Sequence, residues 1–197
     1  MKSNHSTNKA QGKWAALHLL VSDRPFYSAC MTAAHAPQLE ADATKAAAHE
    51  ELLVFPHFDE ATAWELGTAL RAAAEREGVS VLIDIRRGDD CLFLTAMPGT
   101  APANADWARR KRNLVNLLHK SSFAIGLALA QGLDILELMG LDPRDHAPHG
   151  GCFPIRIAGT GVVGTATVSG LPQRDDHRLV VETIAAYLGL DLGDNAL

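Results

Sequence analysis

Two pairs of β-type runs, each closed on itself by a glycine-containing turn, constrain this chain more than any other feature. Val79 to Arg87 and Cys91 to Met97 flank Gly88-Asp89-Asp90, and Phe153 to Ile157 and Val162 to Ser169 flank Gly159-Thr160-Gly161. A short turn between two β runs brings them side by side in opposite directions. The runs therefore predict hairpins in an antiparallel sheet, not the alternating strand–helix units of a parallel one. In the first run Val81, Ile83 and Ile85 alternate with Leu82, Asp84 and Arg86, giving one apolar face and one mixed face.

Helical segments surround these hairpins. Leu39 to Glu50 is rich in alanine, the best helix former. Leu52 to Phe55 is a short apolar run stopped by Pro56, read as a strand. Asp59 is placed to cap a helix through Glu77, with Gly78 just past its end and Ala63, Leu66, Leu70 and Ala73 at helical spacing. Asn104 or Asp106 opens a long helix bearing Trp107, Leu114, Leu117 and Leu118, read as continuing through Ile125 to Gln131. Asp175 or Asp176 caps a last helix from His177 to Leu188, ended by Gly189. The expected class is α/β of the α+β type: a sheet with helices packed on it.

The 197 residues suit one domain at 37–197, preceded by an N-terminal extension at 1–36 that is polar at first and lacks sustained periodicity. Met31 offers an alternative start. The net charge of −5 excludes a general nucleic-acid binder, which needs a basic footprint. Cys30, Cys91 and Cys152 are an odd number with no metal-type spacing, against a disulfide framework or a structural zinc site. His18 interrupts the apolar patch Trp14 to Val21, and Asp23, Arg24 and Pro25 follow it. A cytoplasmic protein without a membrane span is the expectation.

Several segments carry potential chemistry. Gly159-Thr160-Gly161-Val162-Val163-Gly164 matches the dinucleotide fingerprint in letters, but its last glycine leads into Thr165-Ala166-Thr167-Val168, a β run. The fingerprint works only where that glycine opens a helix facing the pyrophosphate. Arg109-Arg110-Lys111-Arg112 spreads four cations around one helical turn, so some must lie near the packed side. Two readings fit equally: an anion site, or a solvated turn with an internal salt bridge.

His146-Ala147-Pro148-His149-Gly150-Gly151-Cys152 reads as a loop whose glycines let a ligand approach the backbone, with His149 as base or iron ligand. His146 reads as an ordinary loop residue, and Cys152 as a structural thiol. His119, on the long helix, reads as a packing residue. Ser169, Asp176 and His177 have the residue types of a relay, but helix capping is the default for the acidic pair.

In series, Leu52-Leu53-Val54-Phe55, Trp107 with Arg110-Lys111-Arg112, Ser121-Ser122, His149-Gly150-Gly151-Cys152-Phe153-Pro154-Ile155, Gly161-Val162-Val163-Gly164 and Ser169-Gly170-Leu171-Pro172-Gln173-Arg174-Asp175-Asp176-His177 resemble one branch of the haem-degrading (HbpS/GlcG-like) family. The resemblance spans about Glu51 to Gly189. It implies a profilin-like five-stranded antiparallel sheet flanked by helices, and a homo-oligomer, dimer or larger ring. It implies haem, bound as cofactor or degraded oxidatively as substrate, or another tetrapyrrole or small anionic ligand, held around Arg110, Arg112, His149, Gly150, Gly151, Ser169 and His177. His149 would be the catalytic or ligating group. Where serine is expected after the glycine pair, this chain has Cys152. The alternative is a non-catalytic oligomeric binding or adaptor module for a small anionic metabolite or a protein partner. A hydrolase using Ser169 or Cys152 is a third class.

Overall fold

The computed structural model describes residues 36–197; the expected extension up to residue 35, with its alternative start Met31 and Cys30, lies outside the described residues, and Ala36 already opens a helix. The elements run α1 (Ala36–Leu52), β1 (Val54–Phe55), α2 (Glu60–Glu77), β2 (Leu82–Arg87), β3 (Asp90–Ala96), α3 (Pro102–Leu118), α4 (Ser122–Ala130), α5 (Ile135–Met139), β4 (Cys152–Ile157), β5 (Gly161–Ser169) and α6 (Gln173–Leu188), then a 3-10 turn at Gly193–Asn195. No helix among them is long and apolar enough to cross a membrane.

One five-stranded sheet has the order β1-β4-β5-β2-β3. Both expected hairpins form, and β2 and β5 join them antiparallel through the centre, with Asp84 opposite Thr167. The edge differs from the all-antiparallel expectation, because β1 pairs parallel with β4, Val54 opposite Arg156 and Phe55 opposite Ile157. That pairing is only two residues long. Pro154, which has no amide hydrogen to donate, is tolerated in β4 because β1 no longer pairs there.

The sheet has two unlike faces. Ile83, Ile85, Phe153, Ile155, Ala166 and Val168 point to one side, where α2 and α6 cover them with Leu66, Leu70, Leu179 and Ile184 to make the main core. Asp84, Cys152, Thr165, Thr167 and Ser169 point to the other side and are buried all the same. There α3 covers them with Ala108, Leu114 and Val115, and also with Lys111. A polar layer thus lies between the sheet and α3.

Local chemistry sets the helix ends. The Asp59 carboxylate accepts from the Thr62 amide at 2.8 Å, and Gly78, at φ 68, closes α2. The expected continuous helix to Gln131 is instead two. His119 ends α3 in the left-handed conformation, φ 55, and Ser121 caps α4 by accepting from the Ala124 amide at 3.2 Å. His119 is exposed there and is not a packing residue. The last helix begins at Gln173, four residues before the sequence reading, so Asp175 and Asp176 lie inside its first turn and do not cap it.

Candidate functional site

The four cations of α3 go to four different places. Arg109 is at the surface with Asp106 and Asp145, both at 2.9 Å. Arg110 lies 4.4 Å over the Trp107 ring and donates through Nε and Nη2 to the Pro143 carbonyl, at 3.1 and 2.6 Å. Lys111 is buried, 2.7 Å from Asp176 and 3.2 Å from the Val168 carbonyl. Arg112 is ion-paired with Asp84, which also accepts from Arg86 Nε at 2.9 Å. The internal-partner reading therefore describes Lys111 and Arg112, while Arg109 and Arg110 stay nearer the surface, their side chains 39% and 19% exposed. Asp84, on the mixed face of β2, is what takes Arg112 out of the expected clamp.

His149 is exposed at the mouth of its loop, its ring edge-on to Trp107 at a centroid distance of 4.9 Å. No described protein group hydrogen-bonds either ring nitrogen. Partial burial, and then the Lys111 and Arg110 charges, hold its pKa below the usual imidazole value. The ring therefore stays neutral at pH 7, with a lone pair available. Trp107, Arg110 and His149 form one surface cluster.

The two glycines behind His149 serve the protein itself. A Cβ on Gly150 would lie 2.0 Å from the Gln173 carbonyl oxygen. On Gly151, at φ 118, it would lie 2.4 Å from the Val168 carbonyl oxygen and 2.8 Å from Lys111 Nζ. The close approach that their sequence implied is that of β5 and α6, whose backbones pack against the loop. Gly164 likewise abuts the Arg86 carbonyl within a strand, so no dinucleotide turn exists.

The remaining candidates are not at this surface. Ser169 is buried at the end of β5, opposite Leu82. His177 is wholly buried on α6, stacked on Phe123 at 4.6 Å, with Nε2 at 3.2 Å from His49 Nδ1. Asp176 turns to Lys111 and accepts from the Leu171 amide at 3.0 Å, so no Ser169–His177–Asp176 relay assembles. His146 Nδ1 is 3.2 Å from the Asp142 carbonyl, a loop contact.

Burial pushes the Cys152 thiol up to about 12, and the Thr167 hydroxyl donates to its sulfur at 3.1 Å. A thiolate is the reactive form. A thiol-specific reagent at pH 8 is therefore expected to label exposed Cys91 within minutes and to leave Cys152 intact until the protein unfolds. Rapid modification of Cys152 in the native state, read by peptide mapping, would restore a nucleophilic role.

Sequence reasoning missed an apolar groove of about 250 Å³ between α1 and α4, walled by Ala43, Ala47, Ala124, Ile125 and Ala128, with Lys120 at its rim. The alanine-rich helix α1 was legible in the sequence, but its juxtaposition with α4 was not.

Comparison with known proteins places this architecture. The description "Haem degrading protein HbpS-like" matches residues 58–185. A UPF0303 protein of Azotobacter vinelandii (strain DJ / ATCC BAA-1303) is 51% identical over 160 residues, covering 81% of this chain and 96% of the relative. A UPF0303 protein of Serratia proteamaculans (strain 568) is 56% identical over 144 residues, covering 73% and 89%. Among solved structures, the Ybr137w protein superposes with a TM-score of 0.68 at 28% identity, over 75% of this chain and 87% of its own. A PduOC:haem complex shares the fold, with a TM-score of 0.54 at 19% identity over 61% and 88%. The ordered motifs, the five-stranded sheet and these matches lead to one conclusion: the chain belongs to the haem-degrading, HbpS-like family, among its UPF0303 relatives.

Proposed function

We propose that this protein binds haem or a related tetrapyrrole on the surface formed by Trp107, Arg110 and His149. The observation that carries this reading is the state of His149: exposed, kept neutral by its surroundings, and with neither ring nitrogen bonded to a described protein group. A neutral imidazole is what an iron centre needs as a ligand. Trp107 adds a flat apolar face beside it. Arg110 spends Nε and Nη2 on Pro143, and its Nη1, in a long 4.0 Å ion pair with Asp106, would exchange that partner for a propionate. Haem, when bound, supplies the redox chemistry; the chain orients it and fixes the polarity around it. Gly150 and Gly151 hold the His149 loop against β5 and α6. Arg112, Ser169 and His177 lie beneath the surface and shape it without touching the ligand.

The test is a haem titration followed by absorbance, with His149→Ala alongside. A saturable Soret change at one haem per chain, lost in His149→Ala, is the expected result. A titration without saturation, or one unchanged in the variant, would remove the reading. It would also favour the second one, a non-catalytic oligomeric binding module. That reading has its own support at the open edge of the sheet, where Trp64 is 65% and Leu94 57% exposed. Such apolar exposure beside an unpaired strand suits another copy of the chain.

A further inference from the structure

Helix α1 is held to the rest of the protein mainly by ionisable groups. Its buried residues are Asp42, Ala46, His49 and Glu50. Asp42 takes two bonds from the Arg174 guanidinium, at 2.9 and 3.2 Å. Glu50 takes Lys120 Nζ at 2.7 Å and the Ser121 amide at 2.8 Å. His49 meets His177 of α6 on one side and the C-terminal turn on the other, its Nε2 2.7 Å from the Asn195 carbonyl oxygen. Nearby, Lys45 Nζ donates to the Ala196 carbonyl at 2.5 Å.

The histidine contacts fix where the protons are. A carbonyl only accepts, so His49 Nε2 carries the hydrogen that reaches Asn195. Neutral His49 then has a bare Nδ1, which accepts from His177 Nε2–H. The remaining nitrogen, His177 Nδ1, is bare, buried, and without a partner among the described residues. It is enclosed by rings, Phe123 stacked at 4.6 Å and Phe153 tilted at 6.1 Å.

An added proton finds no compensation in this arrangement. On His177 Nδ1 it would be a cation in an apolar enclosure. On His49 Nδ1 it would reverse that bond and drive the His177 hydrogen to Nδ1, a buried donor with no acceptor among the described residues. The charged groups that bear on the pair are Lys45, which opposes a proton, and Glu50, which favours one but is already paired with Lys120. From α6, α4, β4 and the C-terminal turn the pair meets only ring carbons, each other and the Asn195 carbonyl.

We propose that α1 and the C-terminal turn form an acid-released latch: proton uptake by the His49–His177 pair detaches both segments together from a body that stays folded. Release lets water solvate the new charge. It also uncovers Phe123 and Leu127, which pack under Ala46 and Leu197, and opens the groove walled by Ala43 and Ala47. The sign follows from burial, which lowers both histidine pKa values in the closed form. The detached form binds more protons, so the latch is at full strength above the ordinary value near ~6.5 and weakens below it.

Hydrogen exchange on the full chain, corrected for the intrinsic pH dependence of amide exchange, reads this directly. Between pH 7.5 and 5.5 the protection of residues 36–52 and 193–197 is expected to fall together. The fall should approach about tenfold per pH unit below the histidine value for each proton taken up, while β4 and β5 keep theirs. His177→Gln, which retains a donor for His49 but cannot be protonated, should lower the slope by the one proton that His177 contributes. Nitrogen-15 spectra of the imidazoles provide a check independent of that variant's folding: at pH 7.5 both rings should be in the neutral Nε2–H form. Unchanged protection of α1 at pH 5.5, loss in step with the sheet, or the opposite tautomer for His49 would each overturn the latch.

Discussion

Lys111→Met is expected to lower the unfolding free energy by about 3–5 kcal/mol, the cost of leaving a buried charge without its partner. Asp176 is 1% exposed, and burial already pushes its carboxyl above the usual carboxylate range even with the Lys111 ammonium 2.7 Å away. Removing that ammonium pushes it further the same way. A carboxyl whose folded pKa is raised binds more protons folded than unfolded, so stability rises as the pH falls. The deficit of Lys111→Met should therefore shrink between pH 7 and pH 5, measured by urea denaturation at each pH. Adding Asp176→Asn should recover most of the loss at pH 7, because the amide oxygen still accepts from the Leu171 amide. A Lys111→Met variant as stable as the parent at pH 7 would mean that the pair is solvated, and that the polar layer beneath α3 is not buried as described above.

Gly151→Ala is expected to cost about 2–6 kcal/mol, the sum of left-handed backbone strain and overpacking. Its φ of 118 is outside the range L side chains adopt readily, and its new methyl would meet the Val168 oxygen, Asp176 Cβ and Lys111 Nζ at 2.4 to 2.8 Å. Gly159→Ala is the control. It too has a positive φ, 75, but nothing lies within 4 Å of the added Cβ, so only the strain of about 1–2 kcal/mol remains. Thermal unfolding of the two variants separates packing from backbone strain. Equal losses, or a Gly151→Ala protein of parental stability that fails only in ligand titration, would return the glycine pair to the role of admitting a ligand.

The hairpins, the capped helix after Asp59 and the mixed face of β2 were readable because each depends on neighbours within a few residues. Turn glycines, period-2 alternation and a capping carboxylate act locally, so the letters suffice. The break at His119 was missed because left-handed backbone at a non-glycine residue leaves only the weak sign of Ser121 as the next cap. The parallel pairing of β1 was missed because two residues bear no trace of their partner strand.

The candidate site divides along the same line. His149 was legible from its loop, and Arg110 from its basic turn. Arg112 and His177 were legible as chemistry but not as position. Arg109, Arg110, Lys111 and Arg112 are consecutive letters, yet the helix turns each one about 100° from the last. Only the packing of α3 over β5 and β2 decides that Lys111 and Arg112 go inward while Arg110 stays with Trp107. Buried charges need partners, and those partners, Asp176 and Asp84, come from elements 65 and 28 residues away. The sequence by itself determined the hairpins, most of the helices, the family and the kinds of groups available for chemistry. The tertiary structure alone decided which were spent on holding the fold together and which were left at the surface, because burial and pairing are properties of distant neighbours in space.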